Sequence, residues 1–118
     1  MIFGVYFREL RKSKQITQRT IAKAIGKSTM LISGVETSKN GPFSNDDLQI
    51  IADCLSLSQD EYVDLQIQAA KARGMLPPHM TDYIAEHDGV YKLLEILVQR
   101  EMDEKSLIKL RTYAEGMK

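Results

Sequence analysis

The spacing of the apolar residues constrains the fold of this 118-residue chain more than any other feature of the sequence. Apolar residues recur at intervals of three and four, as in Phe3, Phe7 and Leu10, and this spacing continues through most of the chain. Alternation of apolar and β-branched residues never persists for the length of a strand. The sequence therefore predicts an all-α fold.

Residues that cap helices divide this pattern into elements. A Ser or Thr hydroxyl that accepts a hydrogen bond from a first-turn N–H marks a helix start, and glycine marks a helix end. Ser58 and Glu61 have the spacing of a capping box. The signals predict eight helices, at about 3–14, Thr17 to Gly26, Ser28 to about Glu36, Ser44 or Asn45 to about Leu55, Ser58 to about Ala72, and near 78–87, 89–101 and 104–115.

One clear break interrupts the helices, at Gly74-Met75-Leu76-Pro77-Pro78. We therefore expect a five-helix domain in residues 1–73 and a helical extension in residues 74–118. The extension carries two apolar stripes, formed by Val90, Leu93, Leu94, Leu97 and Val98 and by Leu107, Ile108, Leu110 and Tyr113. We favour a dimer interface for these stripes. Packing against the first five helices and docking of another protein or peptide are the alternatives.

Composition excludes several classes of protein. No apolar run approaches the roughly 18 residues of a membrane span, and no hydrophobic leader pattern follows Met1. Cys54 is the only cysteine, so the chain forms no internal disulfide, and we expect a cytoplasmic protein. Neither His79 nor His87 has acids or cysteines at metal-ligand spacing. We expect no metal, no cofactor and no enzymatic activity.

Charge is divided unevenly along the chain, although its formal net value is zero. Residues 1–41 hold eight basic and two acidic side chains, a charge of +6, and residues 42–118 carry the compensating −6. This asymmetry is typical of a chain whose first half faces a polyanion.

Two short helices joined by a tight turn lie within this basic segment. Ala22 must be small because the two helices cross there, and Gly26 adopts a positive φ without strain. Such a unit places its second helix in the DNA major groove, which is about 12 Å wide and distinguishes all four base pairs. The segment therefore predicts binding of double-stranded DNA.

The same segment resembles a known family, the helix-turn-helix domains of the lambda and 434 repressors and the Cro proteins, the XRE-like small regulators. The resemblance covers about residues 5–57. The matching residues are Leu10-Arg11, Ile16-Thr17-Gln18, Ile21-Ala22, Ile25-Gly26, Ser28, Ile32-Ser33, Val35-Glu36, Pro42, Leu48, Ile51-Ala52 and Leu55. It implies a five-helix repressor-type helix-turn-helix domain, and the helical extension of residues 74–118 follows this domain.

The resemblance also implies roles for single residues. Gln18 would hold a DNA phosphate, and Arg11 and Glu36 would form an internal salt bridge. Lys27 is either a phosphate contact or an ordinary solvated lysine. Base edges would face Ser28, Thr29, Met30 and Ser33, and the DNA backbone would meet Thr37 and Lys39.

Two positions depart from the family pattern. Gly34 stands where relatives often carry a long Arg or Gln that bonds a base, and Ser38 stands where the family has glycine. The short side chains around Gly34 predict sparse direct readout, so DNA shape or bridging water would add specificity.

Two functions remain open from the sequence. The first is a sequence-specific transcriptional regulator, a repressor acting as a homodimer. The alternative is a protein-interaction module, an antitoxin or a regulator's partner, that keeps the scaffold but binds DNA weakly.

Overall fold

The computed structural model describes residues 2–117, and within that range it contains eight α-helices and no strand. The helices are α1 Phe3–Ser13, α2 Gln18–Ile25, α3 Thr29–Glu36, α4 Asn45–Cys54, α5 Gln59–Arg73, α6 Pro78–Glu86, α7 Asp88–Gln99 and α8 Glu104–Glu115. The all-α prediction is confirmed.

Side-chain caps fix the starts of five helices, four of them in the first five helices and the fifth at Asp103 before α8. The hydroxyls of Thr17, Ser28 and Ser44 each accept a hydrogen bond from the backbone N–H three residues later. Ser58 does the same, and Glu61 returns a bond to the backbone N–H of Ser58, which confirms the capping box. Ser44, not Asn45, is therefore the cap of α4.

Several helices are followed by a residue with left-handed backbone dihedral angles. This conformation turns the backbone N–H groups at the helix end towards the carbonyls of the last helical turn, to which they donate. Gly26 and Gly74 occupy this position after α2 and α5, with φ of 67° and 68°. Elsewhere the residue is not glycine. Gln15, Ser38, Ser56 and Glu101 have φ of 59°, 66°, 52° and 48°.

Helices α1 to α5 enclose one hydrophobic core. Helix α1 packs on α3 and α5, and α2 packs on α3 and α4. The largest fully buried side chains are Phe7, Ile21, Ile32, Leu48, Ile51 and Leu65. An aromatic cluster of Phe3, Phe7 and Phe43 joins α1 to the loop before α4. The guanidinium of Arg73 donates to the carbonyls of Pro42 and Phe43 and so ties this loop to the end of α5.

Gly4 allows α1 to approach the end of α3 closely. A Cβ built at this position would lie 2.4 Å from the carbonyl oxygen of Val35 and 2.7 Å from that of Glu36. Real Cβ atoms do not come so near to backbone oxygens, so no other residue fits here without moving a helix.

The chain divides into two compact units between Pro77 and Pro78. The first contains α1 to α5. In the second, α6 packs on α7, and none of the helices α6, α7 and α8 contains a buried residue. Within residues 2–117, no helix is long and apolar enough to cross a membrane.

Candidate nucleic-acid interface

Helices α2 and α3 form a compact two-helix unit because the turn between them is only three residues long. Gly26 leaves α2 in left-handed backbone, and the N–H of Lys27 donates to the carbonyl of Ala22 at 2.9 Å. Ser28 then caps α3. Ala22 is 4% exposed, as expected for a small residue at a helix crossing.

The first turn of α3 presents its side chains to solvent. Thr29 and Met30 are exposed, and Met30 is 82% exposed, the highest value among the large apolar residues of the described chain. The Ser28 hydroxyl accepts from the N–H of Leu31 at 3.2 Å, and Ser33, one turn further along, is half-buried. Burial of so exposed an apolar side chain against a partner would remove apolar surface from water and so stabilise the complex.

Behind this face, Arg11 holds Glu36 in a buried bidentate ion pair, as predicted. The Nε and Nη2 groups of Arg11 donate to the two oxygens of Glu36 at 2.6 and 3.0 Å. Gln18 Nε2 donates to the same carboxylate at 3.0 Å. Burial alone would raise the pKa of Glu36, but the bonds from Arg11 and Gln18 outweigh it and hold this pKa below its usual range. The bond from Glu36 likewise raises the pKa of Arg11.

A cleft beside this ion pair brings together residues from three helices. It is lined by Arg8, Arg11, Lys12, Gln18, Ser33, Glu36 and Thr37. Arg8 and Lys12 are exposed on α1, four residues apart and therefore on one helix face. The sequence-derived site omitted both, although their spacing on a basic helix was a usable signal.

Sequence similarity decides what this two-helix unit is. The model of the helix-turn-helix domain family matches residues 2–65, which include all of α1 to α4 and the first half of α5. The chain belongs to the helix-turn-helix domain family. Searches of curated proteins and of solved structures found no match.

In helix-turn-helix proteins, the N-terminal residues of the second, recognition helix contact base edges, and α3 corresponds to this helix. Of the predicted residues, Ser28, Thr29 and Met30 lie at this end of α3, and Ser33 lies one turn further along. The hydroxyl side chains of Ser28 and Thr29 are short, so Met30 is the longest group on the exposed first turn.

Three other predicted site residues have internal partners. The Thr37 hydroxyl donates to the carbonyl of Ser33 at 2.9 Å. Lys27 Nζ lies 2.8 Å from Asp47 Oδ2, so this lysine is tethered to α4, and Gln18 bonds Glu36. Lys39 is exposed in the turn that follows α3. Lys27 is thus ion-paired in the free protein, and its contact with DNA stays a prediction.

Gly34 lies on the buried side of the recognition helix, not on its outer face. A Cβ there would lie 2.2 Å from Asn40 Nδ2, and the N–H groups of Lys39 and Asn40 both donate to the Gly34 carbonyl. The turn after α3 thus folds against Gly34. The Asn40 side chain therefore covers the position where relatives often carry a long Arg or Gln.

Proposed function

We propose that this chain is a cytoplasmic, sequence-specific DNA-binding repressor that inserts the start of α3 into the major groove. The observation that carries the proposal is the exposed first turn of α3, with Met30 82% exposed in a basic helix-turn-helix domain. The C5-methyl group of thymine is the apolar feature of the major-groove floor, so Met30 is assigned to a thymine. The proposal includes no cofactor and no enzymatic activity.

Phosphate contacts would position α3 in the groove. Gln18 is the first residue of α2, where backbone N–H groups and the helix dipole attract an anion. Arg8 and Lys12 line the cleft beside Gln18 and add positive charge on the same side. Lys27 precedes α3 and Lys39 follows it, which places a cation near each end of the recognition helix.

A dimer would supply the length of DNA contact that a single recognition helix lacks. Two-fold dimers of helix-turn-helix proteins bind half-sites roughly 34 Å apart, one turn of DNA. The exposed apolar residues of α7 and α8 are the surface that we assign to dimerisation. Repression would then follow from occupation of a promoter by the dimer.

A pair of truncations tests the role of the α3 face. Binding to a site selected from the source genome is measured by fluorescence anisotropy for Met30→Ala and for Ile50→Ala, an exposed apolar residue on α4. Met30→Ala should weaken binding and reduce discrimination at one thymine, by about 1 kcal/mol or more. Ile50→Ala should bind as the wild type does. Unchanged affinity for Met30→Ala would contradict the assignment.

A second candidate function is a protein-interaction module, an antitoxin or a regulator's partner. It is favoured by the apolar surface of residues 78–117 and by the internal bonds that engage Lys27 and Gln18, because engaged side chains bind phosphate less well. Pull-down from the native cell distinguishes the two. A stoichiometric protein partner without DNA supports the module, and one recovered DNA site without a protein partner supports the repressor.

A further inference from the structure

Helix α7 is apolar over more than half of its circumference. Its polar residues Asp88, Lys92, Glu95 and Gln99 follow a spacing of four, three and four and so form one narrow stripe. The remaining positions are mostly large and apolar, yet Val98 is 70% exposed and Leu93 53%. A helix of this kind is stable when buried on several sides, and α6 covers only one of them.

Helix α8 makes no close backbone approach to α6 or α7, since no Cα of α8 comes within 8 Å of a Cα on either helix. A helix of 12 residues is marginal in water without tertiary contacts. Leu107, Leu110 and Ala114 share one face of α8, spaced by three and four residues. Leu107 is half-buried, while Leu110 and Ala114 are exposed, so most of this face is open to solvent.

The turn between α7 and α8 is held by hydrogen bonds, so the distance between these two helices is set by an ordered turn. The N–H groups of Glu101 and Met102 donate to the carbonyls of Val98 and Leu97, both at 3.1 Å. Asp103 then caps α8 by accepting from the N–H of Ser106 at 2.8 Å. This local geometry carries α8 away from the α6–α7 hairpin of its own chain.

Charge distinguishes the two surfaces. The hairpin, residues 78–99, has four acidic side chains and one basic, a charge of −3, while α8 has three basic and two acidic, a charge of +1. Attraction between unlike surfaces favours contact of α8 with a hairpin over contact of α8 with another α8.

The exposed apolar area is large enough for a stable dimer. Ten large apolar side chains of residues 78–117 are between 39% and 70% exposed. At about 100 Å² each they present on the order of 1,000 Å² per copy, compared with roughly 800 Å² per partner in a stable interface. A two-fold contact buries the same surface on both copies at once.

We propose that two copies of this chain exchange α8, so that each α8 packs on the α6–α7 hairpin of the other copy. The exchange covers both the open side of the hairpin and the unpaired face of α8. The exchange rests on the dimerisation proposed above and gives it a geometry. It requires no DNA, so it is tested on the free, full-length protein, and its failure leaves DNA binding by α3 to be tested on its own.

Sedimentation velocity tests the association. The molar mass of the wild type from sedimentation should be twice its chain mass of 13.4 kDa. Leu110→Lys places a charge in the exchanged face and should weaken association roughly a hundredfold. Thr112→Lys adds the same charge on the opposite face of α8 and should leave the dimer intact. A monomeric wild type, or equal loss of association in both variants, would overturn the proposal.

Cross-linking of mixed chains tests the exchange itself. In a Cys54→Ala background, copies carrying Leu94→Cys on α7 are mixed with copies carrying Leu110→Cys on α8. A short bismaleimide, matched to the 8–10 Å between packed helices, should join unlike copies preferentially. Links mainly between two Leu94→Cys copies would indicate an α7–α7 dimer instead. That result would refute the exchange. So would the absence of any link, or a link within a single monomeric chain that carries both cysteines.

Discussion

Gly4 is the residue at which one added methyl group would most directly disturb the first unit. Ala at this position would press its Cβ against the carbonyls of Val35 and Glu36, and neither backbone oxygen can move without shifting α3. We expect Gly4→Ala to lower the free energy of unfolding by about 1–3 kcal/mol. Gly89→Ala, a helical position with nothing within 4 Å, should be neutral or stabilising by up to about 1 kcal/mol. Thermal denaturation followed by circular dichroism compares the two, and equal stability would contradict the close approach.

Glu36 makes stability depend on pH because its pKa is lower in the folded protein than in the unfolded chain. The stabilisation from its ionised form is complete above the unfolded pKa, about 4.3, and is lost as pH falls through the lower folded value. Glu36→Gln should therefore lower the free energy of unfolding at pH 7 by about 2–4 kcal/mol, since Arg11 stays buried without its partner charge.

The test is urea denaturation of the wild type and Glu36→Gln from pH 7 to pH 3. The stability difference between them should narrow as pH falls below about 4.3. Glu9→Gln, an exposed change on α1, serves as the control and should track the wild type. A difference that stays constant down to pH 3 would show that the Glu36 charge does not stabilise the fold.

At the scale of single elements, the residues that end the helices store conformational strain. Ser38 adopts φ of 66° after α3, where a Cβ is unfavourable by about 1–2 kcal/mol. Ser38→Gly should therefore raise the free energy of unfolding by about 0.5–1 kcal/mol, after the entropy that glycine adds to the unfolded chain.

Gly26→Ala is the reciprocal change at the end of α2. Its Cβ would meet nothing within 4 Å, so any loss, about 1 kcal/mol, comes from the left-handed φ of 67° alone. The free energy of unfolding, measured by chemical denaturation, should thus rise for Ser38→Gly and fall for Gly26→Ala. A shift in the same direction would contradict the backbone argument.

Elements that depend on local chemistry could be predicted from the sequence. Thr17, Ser28 and Ser58 cap their helices where expected because a cap needs only a hydroxyl and an N–H three residues away. The internal ion pair of Arg11 and Glu36 was also predicted, but from the family resemblance.

Contacts between distant parts of the chain could not be predicted in this way. Nothing in the local sequence shows that Gly4 meets α3, that Asn40 fills the space beside Gly34, or that Lys27 pairs with Asp47. The positions depend on how helices pack, and they decide which polar side chains remain available to DNA. The DNA contacts themselves stay predictions.

At the scale of the whole molecule, the +6 charge of residues 1–41 should appear in the salt dependence of binding. Each lysine or arginine that neutralises a phosphate adds about 0.9 to the slope of log K against log salt. Arg8→Ala and Lys12→Ala should each reduce this slope by about one. Lys71→Ala, on a helix that packs on neither α2 nor α3, should leave it unchanged. Equal slopes for all three variants would remove the α1 cleft from the interface.

The most direct test of the central claim is selection of genomic fragments with the purified full-length protein, followed by titration of salt against the best fragment. The account predicts a site with two related half-sites about one helical turn apart, bound with a linear fall in log affinity against log salt. Fragments that share no sequence and bind only weakly would contradict sequence-specific regulation by α3.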